Sequence, residues 1–173
     1  MKEFDKTVGY KNVKIELERI CDIIRNPEKY RKLGVSTPKG LLLYGNPGLG
    51  KTLMAKCVVE ASGRKSYVLR KTMPDGDFVK EISAIFSEAK ENAPSVVFLD
   101  DIDKFANEDD YHKNAEEYVT IQSCIDDCKD EEVFFLATAN ELDSLPDSLL
   151  RAGRFEKTIK IKNYLKSFIA LQN

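Results

Sequence analysis

Eight residues restrict this chain more than any other stretch. Gly45 to Thr52 read GNPGLGKT, a full match to G-x-x-x-x-G-K-[ST], and they join the apolar run GLLLY to a helix-forming segment. Gly45, Gly48 and Gly50 let the backbone fold into a tight loop with its N–H groups pointing inward. The helix that follows adds the partial positive charge of its N-terminus. Such a loop is shaped for phosphate oxygens, so Gly45, Asn46, Pro47, Gly48, Leu49, Gly50, Lys51 and Thr52 are all candidate contacts. Lys51 can reach β- and γ-phosphates, and the Thr52 hydroxyl can ligate Mg²⁺.

A second stretch, SVVFLDDIDKF (Ser95 to Phe105), runs four apolar residues straight into Asp100 and Asp101. A buried strand that ends on two carboxylates needs something positive there, because unpaired buried charge is costly. In a sheet that carries a phosphate loop, a neighbouring strand supplies an acid for the metal. Asp100 fits that role, directly or through water. Asp101 then sits where a carboxylate orients or deprotonates an attacking water. The competing reading is that the pair only caps a helix after the strand.

Apolar periodicity supplies the rest of the frame. Val13, Leu17, Ile20, Cys21 and Ile24 mark one helix face, which should stop before Pro27. Helices are also expected over about Lys51 to Ala61, through Phe78, Ile82, Ile85, Phe86 and Ala89, and over about Ala115 to Cys128. Strands are expected at Gly40–Tyr44, Ser66–Thr72, Val96–Leu99, Val133–Ala137 and Thr158–Ile161. Strands that alternate with helices, and read as continuous apolar runs, predict a parallel sheet covered on both faces. The fold class is therefore α/β, a three-layer α/β/α sandwich with a five-stranded parallel sheet, in one domain over residues 1–173.

Composition narrows the class further. With 42% hydrophobic and 32% charged residues the chain can build a core, and a net charge of −2 argues against a coat for nucleic acid. The longest apolar stretch, Val133 to Ala139, is far short of the roughly 20 residues that span a bilayer. The first ten residues lack the apolar run of a signal peptide. Cys21, Cys57, Cys124 and Cys128 form no C-x-x-C pair, and Cys21, Cys124 and Cys128 fall near apolar helix faces. The expectation is a reduced, cytoplasmic protein. Glu108 to Asp110 is expected to be a solvated loop, and His112 an exposed side chain.

With both motifs in place, the chain resembles an AAA+ ATPase of the AAA family proper, most like its FtsH-like and Cdc-type members. FDKTVG (Phe4 to Gly9) resembles the family segment whose backbone holds adenine. Asn26 to Thr52 resembles the approach to the phosphate loop, Glu91 to Asp103 the second motif, and Ala137 to Lys157 the second region of homology. The resemblance implies binding of ATP or ADP with Mg²⁺, held by Thr52 and Asp100, with Val8, Gly9 and Met54 completing the nucleotide contacts. It implies Asn140 as a sensor of the γ-phosphate or the attacking water. It also implies Arg151 and Arg154 as arginine fingers that reach a neighbouring subunit's site, hence a homo-oligomeric ring, by analogy a hexamer. Its output would be ATP hydrolysis that remodels a protein partner, with Lys51, Asp101, Asn140, Arg151 and Arg154 as the catalytic group.

Three departures shape that expectation. The family usually has Glu where this chain has Asp101, which draws the carboxylate back by about 1.5 Å and predicts slow hydrolysis. Pro74 stands where the substrate-gripping loop carries an aromatic residue, and the spacing of Phe78 makes it a core residue. The sequence reaches Asn173 just past the fifth strand, so the helical lid is expected to be missing or barely begun, and no H-E-x-x-H occurs. Two of these features, the shortened acid and the missing aromatic, favour an alternative, a module that binds nucleotide and assembles with little turnover. A DNA-handling ATPase is the third reading, disfavoured by the charge balance.

Overall fold

In the computed structural model, residues 2–7, 9–72, 75–106 and 115–162 are described. Helices α1 (Lys11–Arg25), α2 (Pro27–Lys32), α3 (Lys51–Ser62), α4 (Asp75–Glu91) and α5 (Ala115–Asp127) alternate with strands β1 (Gly40–Tyr44), β2 (Lys65–Leu69), β3 (Ser95–Leu99), β4 (Val133–Ala139) and β5 (Lys157–Lys160). The strands form one sheet in the order β2-β3-β4-β1-β5, and every pairing is parallel. This is the sandwich expected from the apolar runs.

Strand parity sorts the core into two halves. Successive side chains on a strand point to opposite faces. Leu41 and Leu43 of β1, Val96 and Phe98 of β3, and Phe134 and Leu136 of β4 join one core, with Val13, Leu17, Ile20, Cys21 and Ile24 of α1 and Met54, Ala55 and Val58 of α3. Leu42, Val97, Leu99, Phe135 and Ala137 join the other, with Phe78, Ile82 and Phe86 of α4 and Ile121 and Ile125 of α5. Phe78 is buried edge-on against Phe105, ring centroids 5.1 Å apart, so it is the core residue its spacing indicated.

Parity also decides what stands at the C-terminal edge of the sheet. Leu99 and Ala137 pair in register and face α4 and α5, so the next residues, Asp100 and Thr138, face α3. Leu69 pairs with Leu99, so Arg70 follows Leu69 as Asp100 follows Leu99, and both turn to the α3 face. The row Arg70, Asp100, Thr138, Leu43 therefore lies across four neighbouring strand ends.

Two expectations are corrected here. Strand β2 ends at Leu69 and not at Thr72: the Asp100 N–H donates to the Leu69 carbonyl at 2.9 Å, and beyond this bond Arg70, Lys71 and Thr72 leave the sheet. Between α1 and β1 the sequence reading placed no helix, yet Pro27 begins α2, where its missing N–H costs nothing. Val8, Pro74, the 108–110 acidic stretch, His112 and the lid region past residue 162 lie outside the described residues. No helix among the described residues is long and apolar enough to cross a membrane.

Cys21, Cys57 and Cys128 are buried and Cys124 is half-buried, all as free thiols. Burial pushes the Cys21 thiol from 9.0 up to about 12. The folded-state value lies above the unfolded one, so the unfolded chain gives up this proton first as pH climbs past 9.0. The thiol's contribution is thus whole below pH 9.0 and is lost as pH rises toward about 12. One such group changes stability by about 1.4 kcal/mol per pH unit in that window. Cys21→Ala lacks the proton, so its stability deficit against wild type, measured by urea unfolding, is expected to be constant below pH 9.0 and to narrow above it. A deficit that stays constant through the alkaline range contradicts this.

Candidate functional site

The loop from Gly45 to Gly50 leaves β1 and enters α3 at Lys51. Gly45 has φ 146°, and a Cβ there would lie 2.3 Å from the Ile161 carbonyl oxygen, so only glycine lets the loop pass the end of β5. Gly50 caps α3 at φ 83°, in the left-handed region. Pro47, Gly48, Gly50, Lys51 and Thr52 line a cleft of about 580 Å³, together with Asp101, Lys104 and Asn140. Another hollow lies at the N-terminal ends of the strands, around Arg64, Lys39 and Glu132, remote from this chemistry.

Lys51 is buried at the floor of the cleft. Its ammonium donates to the Gly45 carbonyl at 2.6 Å, the Asn46 carbonyl at 3.1 Å and Asn140 Oδ1 at 3.1 Å. Burial draws its pKa below the usual lysine value, and Asp101, Asp103 and Asp100 work against that shift. An ammonium held by neutral oxygens can turn to an anion without breaking an ion pair.

Asp100 is 4% exposed, and each of its carboxylate oxygens is engaged. Oδ1 accepts from Thr52 Oγ1 at 2.9 Å and from Thr138 Oγ1 at 2.7 Å. Oδ2 lies 2.7 Å from Arg70 Nη2. The Thr52 hydroxyl and the Asp100 carboxylate are hard oxygen donors 2.9 Å apart, the ligand chemistry a small divalent cation prefers.

Asp101 stands at φ 57°, in the left-handed region, a conformation that Asp tolerates better than most residues but that still costs of order 1–3 kcal/mol. Its N–H donates to Thr138 Oγ1 at 2.9 Å, so one threonine fixes both acids. Its carboxylate is paired with Lys104 Nζ at 2.7 Å. Asn140, just after β4, is held by Asp103: its backbone N–H and its Nδ2 both donate to Asp103 Oδ2 at 3.1 Å. The other Asp103 oxygen is buried with no hydrogen-bond partner among the described residues.

Lys51, Thr52, Asp101 and Asn140 thus meet in one cleft, with Asp100 bonded to Thr52 beneath it. Met54 does not join them: it is 1% exposed, packed in the core under α3. Gly9 lies just before Tyr10, whose hydroxyl donates to the Leu49 carbonyl at 3.2 Å and ties the N-terminal segment to the loop. The two arginines differ. Arg151 is exposed. Arg154 forks onto Asp126, Nε to Oδ1 at 3.0 Å and Nη2 to Oδ2 at 2.7 Å, and its Nη1 donates to the Ser148 carbonyl at 2.7 Å. Neither lines the cleft.

Sequence reasoning missed Thr138, Asp103, Tyr10, Arg70 and Lys104. For Thr138 the signal was available, a lone hydroxyl in the apolar strand VFFLATA, one residue before its end. For Asp103 it was the third acid of DDID, too ordinary to separate from a turn.

Comparison with known proteins agrees with this geometry. The family model of the ATPase family associated with various cellular activities matches residues 41–163. The ATP-dependent zinc metalloprotease FtsH of Leptotrichia buccalis is 36% identical over 171 residues, covering 92% of this chain and 22% of that protein. FtsH 2 of a Thermoanaerobacter species is 35% identical over 170 residues, 91% of this chain and 32% of its own length. FtsH of Ureaplasma parvum is 32% identical over 166 residues, 91% of this chain and 23% of its own. The chain spans about a fifth to a third of the length of these curated relatives. From the family match over most of its length and a parallel sheet that ends on a phosphate-type loop, the chain belongs to the ATPase family associated with various cellular activities.

Proposed function

We propose that this chain is the α/β nucleotide-binding part of an AAA ATPase and that it binds and hydrolyses ATP with Mg²⁺ in the cleft above α3. The observation that carries this reading is the convergence of Lys51, Thr52, Asp101 and Asn140 on one cleft behind a glycine loop. In this reading Lys51 turns from the Gly45 and Asn46 carbonyls to the β- and γ-phosphates, while backbone N–H groups of residues 46–50 hold the phosphate oxygens. Thr52 and Asp100 would hold the metal, which when bound offsets the charge on the β–γ bridge. Asn140, braced by Asp103, orients the attacking water or the γ-phosphate, and Asp101 accepts a proton from that water. Val8 and Gly9 form the adenine side.

By analogy with the family, an oligomeric ring, a hexamer, completes the site, and the work done on ATP remodels a protein partner in a reducing, cytoplasmic setting. The family's two finger positions divide their tasks in this chain. Arg151, exposed, is the finger offered to a neighbouring subunit. Arg154, forked onto Asp126, fixes the turn that carries it.

A second reading, a nucleotide-gated module with little turnover, draws support from Asp101. The acid is one methylene shorter than the family's usual glutamate, and its carboxylate is held by Lys104 at 2.7 Å.

Three measurements test these readings. Isothermal titration is expected to show Mg·ATP uptake by wild type and its loss in Lys51→Ala; equal uptake by both removes the cleft from consideration. Asp101→Glu is expected to raise turnover by up to about 10²-fold, the cost of a misplacement near 1 Å, and turnover that stays level or falls contradicts the geometric argument. Arg154→Ala is expected to lower unfolding stability by about 1 kcal/mol through loss of its charged hydrogen bonds. Arg151→Ala should leave stability alone and lower turnover only at protein concentrations where subunits assemble. The reverse pattern would exchange the two roles.

A further inference from the structure

The buried acid of the cleft already has a cation of its own. Arg70 Nη2 lies 2.7 Å from Asp100 Oδ2, on the carboxylate whose other oxygen bonds Thr52 and Thr138. The pairing follows from the fold. Leu69 and Leu99 are in register at the ends of β2 and β3, so Arg70 and Asp100 follow side by side, and the guanidinium reaches the carboxylate. β2 is the edge strand, and helix α3 does not reach over it: Val68, on the same face, is exposed. The guanidinium is therefore free to approach from the open side while staying 55% exposed.

We propose that Arg70 is a positioning residue that competes with the divalent cation for Asp100 and so sets the magnesium concentration at which this chain takes up ATP. The inference rests on the nucleotide-site reading above. A guanidinium 2.7 Å from the carboxylate repels a second cation that approaches the same group, and it stabilises the buried charge when no metal is there. Binding of metal-nucleotide then requires Arg70 to leave Asp100, and its half-exposed side chain has solvent to leave into. Arg70 acts on metal uptake only through Asp100; without metal its removal leaves that carboxylate uncompensated beside Thr52, so metal-free nucleotide uptake does not rise. Lys104 does not substitute for it, because Lys104 pairs with Asp101 and not with Asp100.

The test measures binding, not turnover. A fluorescent ATP analogue is titrated into wild type, Arg70→Gln, Arg70→Ala and Arg70→Lys, over free magnesium from micromolar to millimolar and in EDTA. Arg70→Gln and Arg70→Ala are expected to lower the half-saturating magnesium concentration by roughly twofold to fivefold, the scale of one partly exposed ion pair. Arg70→Lys should stay near wild type, and affinity in EDTA should not rise in any of the three variants. An unchanged magnesium midpoint in both neutral variants overturns the proposal, and so does Arg70→Lys shifting as far as they do, since the effect would then be one of shape. A neutral variant that does not fold leaves the decision to the other neutral variant and to Arg70→Lys, whose midpoint must match wild type. Wild type that takes up no nucleotide at any magnesium concentration overturns the nucleotide-site reading itself, and this inference with it. Uptake with an unshifted midpoint overturns Arg70 alone.

Discussion

A carboxylate 4% exposed at the end of a sheet strand must be given partners, and Asp100 receives them from four elements. Thr52 comes from the first turn of α3, Thr138 from β4, Arg70 from the chain just past β2, and the Leu69 carbonyl takes the Asp100 N–H. Stripping a buried carboxylate of its partners leaves an uncompensated charge, which is strongly destabilising. The acid therefore constrains everything around it. The sheet must keep register to within one residue, because a slip would turn Asp100 into the α4 and α5 core and present Leu99 to the cleft. The glycine loop must deliver Thr52 to the same spot. The phosphate side and the acid side are thus two consequences of one packing requirement.

Asp101 illustrates a different balance. Its left-handed backbone, its bond from N–H to Thr138 and its ion pair with Lys104 hold it at the rim of the cleft. The exposed lysine is worth little as a stabilising pair, since Lys104 is largely in solvent. It does occupy the carboxylate that the proposed reaction would use. Under the low-turnover reading proposed above, short reach and the ion pair both hold the carboxylate back from a water at the phosphate.

Much of this was legible in the sequence because it depends on periodicity and on local rules. The five strands and the burial of Phe78 follow from apolar runs and helical spacing. The residues that escaped notice are those set by register between strands. Nothing along the chain says that residue 70 stands beside residue 100, or that residue 138 stands on the other side. Extending β2 through Thr72 placed Arg70 inside a strand, not at the strand end beside Asp100. Met54 stands two residues past Thr52, a little over half a helical turn, which carries its side chain into the core beneath the cleft.

The question raised by two acids at the end of an apolar strand, what positive group meets them, has an answer within the chain itself. Arg70 meets Asp100, Lys104 meets Asp101, and Lys51 rests on two carbonyls and an amide oxygen. Every charged group of the cleft has a partner before any nucleotide arrives. Binding is then an exchange of partners, not the filling of an electrostatic void, and its free energy is the difference between two satisfied states. Such an exchange lets modest changes in any one contact tune affinity, since each partner given up subtracts from each one gained. It also explains how a chain can keep three carboxylates around one lysine in a half-enclosed cleft and still fold: the charges compensate one another first and serve the ligand second.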